Sequence, residues 1–343
     1  MEMMRAWQAM QYGNERTSLR LNSVEKPVPK NDEICIKVYA ASLNPIDYKL
    51  LHGDLKQVLP LQFPITMGFD AAGVVESVGA SVTKFKTGDR VYVRASRESL
   101  RAFAEYTVQP EIFVATMPNK CSFEQAASFP LVALTTVQGF VDRAHLKSGD
   151  SILIYAGSGG LGSFAIQYAK QMGLVVHTTT SSKNADWVGK LGADKVLCYD
   201  QMDISGVRDQ YDAVFETLGG EQTLQAFEQI KSGGVVISVA GPPDIEMRNI
   251  FGKNPVVRFA MWMMARKVYA AAKTKNARYF RYLTESSGEQ LSQITPLVEQ
   301  GKIKPVIDRV FPFEQGIEAF EYLVAGRAKG KVIINIADEN NQM

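Results

Sequence analysis

Histidine and cysteine are scarce in this chain, at three each in 343 residues. His52, His145 and His177 are scattered and make no ligand pair. Cys35, Cys121 and Cys198 are odd in number, widely spaced and fit no motif. A disulfide framework is therefore excluded, and buried thiols in a reducing compartment are expected. No apolar run approaches the roughly 18 residues of a spanning helix, and the start of the sequence lacks the apolar stretch of a secretory signal. A cytoplasmic protein is the expectation. Charge of one sign is lacking too, since a net +2 gives no general case for a nucleic-acid partner. No internal repeat or low-complexity segment is present, apart from a polar tail at 338–343. With 46% hydrophobic residues there is ample core, and the length favours two domains over one.

What is present is a glycine-rich turn in a telling setting. Residues 152–156 are a short apolar run suited to a strand buried on both faces. Gly157, Ser158, Gly159, Gly160, Leu161 and Gly162 follow, and then Phe164, Ala165, Tyr168 and Ala169 recur at helical spacing. Strand, glycine turn and helix in this order are what a dinucleotide fingerprint requires. Gly157 is expected to turn the chain sharply, Gly159 to let a pyrophosphate approach, and Gly162 to let helix and strand pack closely. Unpaired N–H groups at the helix start would face the phosphates.

The next βα unit bears on which cofactor binds. An NAD enzyme places Asp or Glu about 20 residues past the glycines, to bind the ribose 2′-OH. Here the strand expected at 174–179 runs into Thr180, Ser181, Ser182 and Lys183, with no carboxylate until Asp186. Hydroxyls and an ammonium suit a 2′-phosphate, which makes NADPH the expected cofactor. A solvated turn with serine as a helix cap is the plainer alternative.

The first 125 or so residues alternate short strand patterns (33–40, 71–79, 89–93) with glycine, proline and aspartate turns, as an all-β barrel does. From Ser122, with Gln125 at the capping-box position, the pattern becomes helical. Strands at 195–198, 211–215 and 234–239 alternate with helices and predict a doubly wound parallel sheet. Strand ends at Thr179, Tyr199, Glu216, Ala240 and Gly241 are expected to line its crevice. A sixth strand is expected at 277–284, and strands at 304–311 and 331–336 are expected to return to the first domain. Residues 254–272 form a basic, Met-rich helix, open to three readings: a lid over an apolar substrate, a dimer contact or a membrane-surface element.

These parts together resemble the medium-chain dehydrogenase/reductase superfamily, along essentially the whole chain. The resemblance rests on Ala41-Ser-Leu-Asn-Pro-Ile-Asp-Tyr-Lys49, Gly68-Phe-Asp-Ala-Ala-Gly-Val-Val-Glu-Ser-Val-Gly79, Phe85-Lys-Thr-Gly-Asp-Arg-Val91, Leu134-Thr-Thr136 and Ala156-Gly-Ser-Gly-Gly-Leu-Gly162. It implies an α/β fold, with a Rossmann doubly wound parallel sheet and a GroES-like β-barrel catalytic domain. The implied division is 1–126 catalytic, 127–285 NADP-binding and 286–343 returning to the catalytic domain. Within the superfamily the chain is similar to the zinc-independent quinone oxidoreductase and NADPH-dependent alkenal reductase branch. Zinc alcohol dehydrogenases carry Cys and His where this chain has Asn44 and Phe69, and the third ligand region, 130–134, has no Cys, His or carboxylate. No metal is therefore expected.

The implied chemistry is hydride transfer from NADPH to the β-carbon of a quinone or α,β-unsaturated carbonyl, with fixed donors on the enolate oxygen and a proton from Tyr48 or solvent. The resemblance makes Asn44 an orienting residue and brings Thr135 to the nicotinamide or the substrate edge. It assigns Lys183 and Tyr199 to the 2′-phosphate and Gly241 to the nicotinamide ribose; Ser181 is added from its own chemistry. The chain departs from the branch at Lys49, where a tyrosine is frequent. A homodimer is the default assembly. An NADPH-binding structural or redox-sensing protein with little turnover is the alternative, because a fold alone does not imply activity.

Overall fold

The computed structural model describes residues 2–97, 100–252 and 254–337; the polar tail at 338–343 lies outside the described residues. The chain divides into two compact units, 1–134 with 285–343, and 135–284.

In the first unit a seven-stranded sheet is built around Glu33–Leu43, a strand buried along most of its length. Asp70–Val78 pairs antiparallel along one side of it. On its other side the C-terminal strand Lys331–Asn335 pairs with it, Val332 lying opposite Leu43. Ile307–Pro312 adds parallel to that strand. The strand at 331–335 is thus held by a ladder to the first 45 residues. Trp7 closes the core from a smaller sheet, its indole N–H donating to the Phe313 carbonyl at 2.7 Å. At the helix Phe123–Ala127 the capping box forms, with Ser122 and Gln125 bonding each other's backbone N–H.

The second unit carries one six-stranded parallel sheet. Its strands are β1 (Ser151–Ile154), β2 (Val175–Thr180), β3 (Lys195–Cys198), β4 (Tyr211–Glu216), β5 (Ile230–Ser238) and β6 (Arg278–Arg281). They lie in the order β3-β2-β1-β4-β5-β6, the doubly wound arrangement whose order reverses beside β1. Ile152, Leu153 and Ile154 are wholly buried, as a central strand covered on both faces requires. Helix α1 (Gly160–Gln171) follows β1 and ends at Gly173, in the left-handed region at φ +76°. The helix expected over 131–141 is α-helical only for Pro130–Val137 and continues as a π-helical turn, Gln138–Arg143. Gly139 lies in that turn, where an added Cβ would come within 2.5 Å of the Tyr282 hydroxyl. Close packing against Tyr282 sets the course of the chain there.

Candidate active site

The glycine turn after β1 has a different division of labour from the expected one. The left-handed residue is Ala156, at φ +54°, so the sharp turn does not belong to Gly157. Gly157 is required for space, since a Cβ there would lie 2.2 Å from Thr178 Oγ1. Gly162 is required for the same reason, a Cβ falling 2.3 Å from the Ala156 carbonyl oxygen. At Gly159 a Cβ would meet only that oxygen, at 3.4 Å, so the protein's own packing leaves the position open. No side chain caps α1, whose first backbone bond runs from Ser163 N to Gly159 O. The N–H groups of Gly160, Leu161 and Gly162 precede that bond and have no carbonyl partner within the helix. An anionic group fits here.

The ends of β2 and β3 meet beside this turn. Tyr199, 60% exposed, donates its N–H to the Thr180 carbonyl at 3.1 Å, so the two strand ends stay paired. Ser181 is buried, its hydroxyl accepting from Asn184 Nδ2 at 3.1 Å. Lys183 is exposed. Asp200, at the end of β3, accepts from both the N–H and the hydroxyl of Ser182 at 2.8 Å each. Those bonds hold its carboxyl below the usual range. Sequence reading missed this carboxylate, because it reaches the turn from 18 residues away.

Glu216, expected to line the crevice, is instead wholly buried. Its carboxylate accepts from Leu218 N (2.6 Å), Gly219 N (2.5 Å), Thr223 Oγ1 (3.0 Å) and Ser238 Oγ (2.6 Å). Ser238 Oγ in turn accepts from Gly241 N at 2.7 Å. One carboxylate therefore ties the ends of β4 and β5 and fixes the Gly241 turn. Thr135, in the same unit, is buried, with its hydroxyl 2.6 Å from that of Thr284 and its carbonyl accepting from Tyr282.

In the first unit Asn44 ends the strand Glu33–Leu43 and precedes the helix Pro45–His52. It is 1% exposed. Its Nδ2 donates to Asp70 Oδ2 at 2.9 Å and to the Ser42 carbonyl at 3.3 Å, and its Oδ1 accepts from Lys331 at 2.5 Å. Both amide hydrogens and the carbonyl are engaged inside the unit, so Asn44 positions its surroundings. Asp47 accepts the Asn44 N–H at 2.7 Å, and Asp70 Oδ1 accepts the Leu131 N–H at 2.9 Å. Burial pushes the Asp47 carboxyl up to about 8 and that of Asp70 above its ordinary range, and it pushes the Lys331 ammonium down. Nothing in the isolated sequence marks Lys331, which lies 287 residues from Asn44.

Tyr48 lies on the same helix, half-buried against the barrel core and 5.7 Å between centroids from His52. Its hydroxyl makes no hydrogen bond among the described residues. Burial raises its pKa, so it is a phenol and a proton donor at neutral pH.

Two family matches cover most of the chain: residues 30–119 match "Alcohol dehydrogenase GroES-like domain", and residues 191–334 match "Zinc-binding dehydrogenase". The NADPH-dependent alkenal/one oxidoreductase, chloroplastic, of Arabidopsis thaliana is 34% identical over 345 residues, covering 96% of this chain and 79% of that protein. This decides the family. The chain belongs to the medium-chain dehydrogenase/reductase superfamily. The quinone-oxidoreductase homolog of Spinacia oleracea is 33% identical over 347 residues, covering 97% of this chain and 98% of that protein. A solved quinone oxidoreductase from Coxiella burnetii superposes with TM-score 0.85 at 32% identity, over 98% of this chain and 100% of that one. The superfamily's two parts, a GroES-like barrel and a Rossmann-like sheet, are the two units described above.

Proposed function

We propose that the protein is an NADPH-dependent oxidoreductase that reduces quinones or the C=C bond of α,β-unsaturated carbonyls. The observation that carries this is the opening at Gly159, lined by helical N–H groups and flanked by the hydroxyl- and lysine-bearing turn 180–183, in a chain whose relatives are named for these reactions. When bound, NADPH supplies the hydride. The backbone around Ser158 to Gly162 holds the pyrophosphate, Lys183, Ser181 and Tyr199 hold the 2′-phosphate, and Gly241 and Thr135 flank the nicotinamide end. Tyr48 holds the proton destined for the α-carbon, and Asn44 keeps the start of its helix in place.

The reaction is proposed to be zinc-independent on the chemistry of the donor set. Where zinc enzymes of the superfamily carry Cys and His, this chain has an amide tied to an ammonium and a phenyl ring with the Arg94 guanidinium 4.9 Å from its centroid. Among the described residues no group of three His, Cys, Asp or Glu side chains could hold a metal ion. Two cations and a ring do not fit zinc. A reducing compartment such as the cytoplasm is proposed from the cysteines, all free, with burial pushing the Cys35 thiol up to about 11. None of the described helices is long and apolar enough to cross a membrane. A homodimer is the proposed assembly, β3 and β6 offering the edges of the parallel sheet.

The deciding experiment follows NADPH oxidation after chelation, with a 1,4-quinone, a 2-alkenal or no acceptor, and NADH in parallel. Acceptor-dependent turnover with NADPH is expected; tight NADPH binding without turnover would favour the binding-protein alternative. Lys183→Ala should raise the KM for NADPH about 10- to 100-fold, the worth of one charge-assisted contact of roughly 1.5–3 kcal/mol, and leave that for NADH nearly unchanged. Equal losses with both cofactors would remove Lys183 from the 2′-phosphate site. Tyr48→Phe should lower kcat about a hundredfold at unchanged KM, the low end for a general acid because solvent can substitute. Since burial raises the phenol's pKa, the wild-type rate should not fall between pH 6 and about 9 through this group. A descending limb near neutrality that disappears in Tyr48→Phe would show the opposite shift.

A further inference from the structure

Helix α2 (Pro255–Thr274) begins where Asn254 Oδ1 accepts the Val256 N–H at 2.8 Å. One face packs inward through Met261, Ala265, Val268 and Ala272, spaced at i, i+4, i+7 and i+11. An ordinary surface helix would be polar on its other face. Here Val256, Phe259, Trp262 and Met264 are exposed at 75, 62, 44 and 66%, and the rings of Phe259 and Trp262 lie 5.7 Å apart. Of the 18 exposed large apolar side chains among the described residues, seven fall between 245 and 264. Apolar exposure is therefore gathered into one patch, which marks an interaction site.

Positive charge is gathered in the same stretch of sequence. Residues 247–284 hold nine of the 38 Lys and Arg and none of the 36 Asp and Glu. A chain of net charge +2 thus carries +9 here and −7 elsewhere. On α2 itself Arg258, Arg266, Lys267 and Lys273 are all exposed. Acidic side chains that reach this region are engaged, Glu246 by Arg143, Asp209 by Lys275, and Asp244 by the N–H groups of Met247 and Arg281. Phe259 and Met263 point outward over the first turns, and Arg266 and Lys267 take over that face further along.

We propose that α2 is a docking surface for an anionic lipid bilayer. Its aromatic and methionine side chains enter the boundary between headgroups and acyl chains, and its lysines and arginines lie over the anionic headgroups. A second copy of this chain is the less suitable occupant, because pairing the patch with itself would oppose like charges. The inference does not depend on the proposed reaction.

The test uses the full-length protein and vesicles of phosphatidylcholine, with or without 30 mol% phosphatidylglycerol. Of the three tryptophans, Trp7 is buried, Trp187 half-buried and Trp262 exposed, so a blue shift of the emission on binding reports Trp262. Sedimentation with anionic but not neutral vesicles is expected, accompanied by the blue shift and weakened by salt. The double substitution Arg266→Gln, Lys267→Gln should reduce partitioning at least about tenfold, from the worth of two juxtamembrane cations. Trp262→Phe should abolish the shift and preserve sedimentation. Equal binding to both vesicles, or none to either, would overturn the proposal. Concentration-dependent self-association that buries Trp262 without vesicle binding would also overturn it, and would assign the patch to a second copy.

Discussion

Glu216→Ala is expected to destabilise the cofactor-binding unit by about 3–5 kcal/mol, the cost of stranding several buried donors at once. Leu218 N–H, Gly219 N–H and the hydroxyls of Thr223 and Ser238 all lose their acceptor. In thermal unfolding this corresponds to roughly 6–20 °C for a body of this size. Glu216→Gln should cost far less, because its carbonyl oxygen keeps the two backbone bonds and the two hydroxyls can rotate to accept. The cofactor readout distinguishes this from a general loss of fold. Gly241 is fixed through Ser238, so Glu216→Gln that remains folded should still weaken NADPH binding measurably. A melting temperature for Glu216→Ala within about 2 °C of wild type would show that these bonds contribute nothing net.

Lys331→Met is expected to have a comparable effect in the barrel unit. The ammonium is buried, donates to Asn44 Oδ1 and lies 3.4 Å from Asp70 Oδ2. Its removal takes from the wholly buried Asp70 carboxylate one of the two cations that act on it, leaving Arg94, a change that costs about 3–5 kcal/mol at most. The sign of the pH dependence is fixed by the carboxyls. Those of Asp70 and Asp47 are already raised by burial, and loss of the cation raises them further. A carboxyl with a folded pKa above its unfolded value binds the proton more tightly when folded. Its contribution is full below about pH 4 and is lost as the pH rises through the folded value. The deficit of Lys331→Met relative to wild type should therefore be smaller at pH 5.5 than at pH 8, measured by urea unfolding. A deficit independent of pH would mean that the charges at this site are not coupled.

Much of the fold was legible because it is written locally. The parallel strands announce themselves as short apolar runs, such as 152–154, and the helix starts by caps such as Ser122 with Gln125. The glycine turn was recognisable from order and spacing alone. What each glycine does was not, since Gly157 is dictated by Thr178 across the sheet and not by the local turn.

The sequence by itself determined the two architectures, the position of the nucleotide turn and the hydroxyls and lysine at 180–183. All of these depend on neighbours within a few residues, where backbone periodicity and capping chemistry act. Only the tertiary structure decided what Asn44, Asp200, Glu216 and Lys331 do. Each acts through a partner that sheet register brings close, Val332 opposite Leu43 placing Lys331 beside Asn44, and Thr180 opposite Cys198 placing Asp200 beside Ser182. Such partners leave no trace in spacing along the chain, because a hydrogen bond depends on distance in space and is indifferent to separation in sequence.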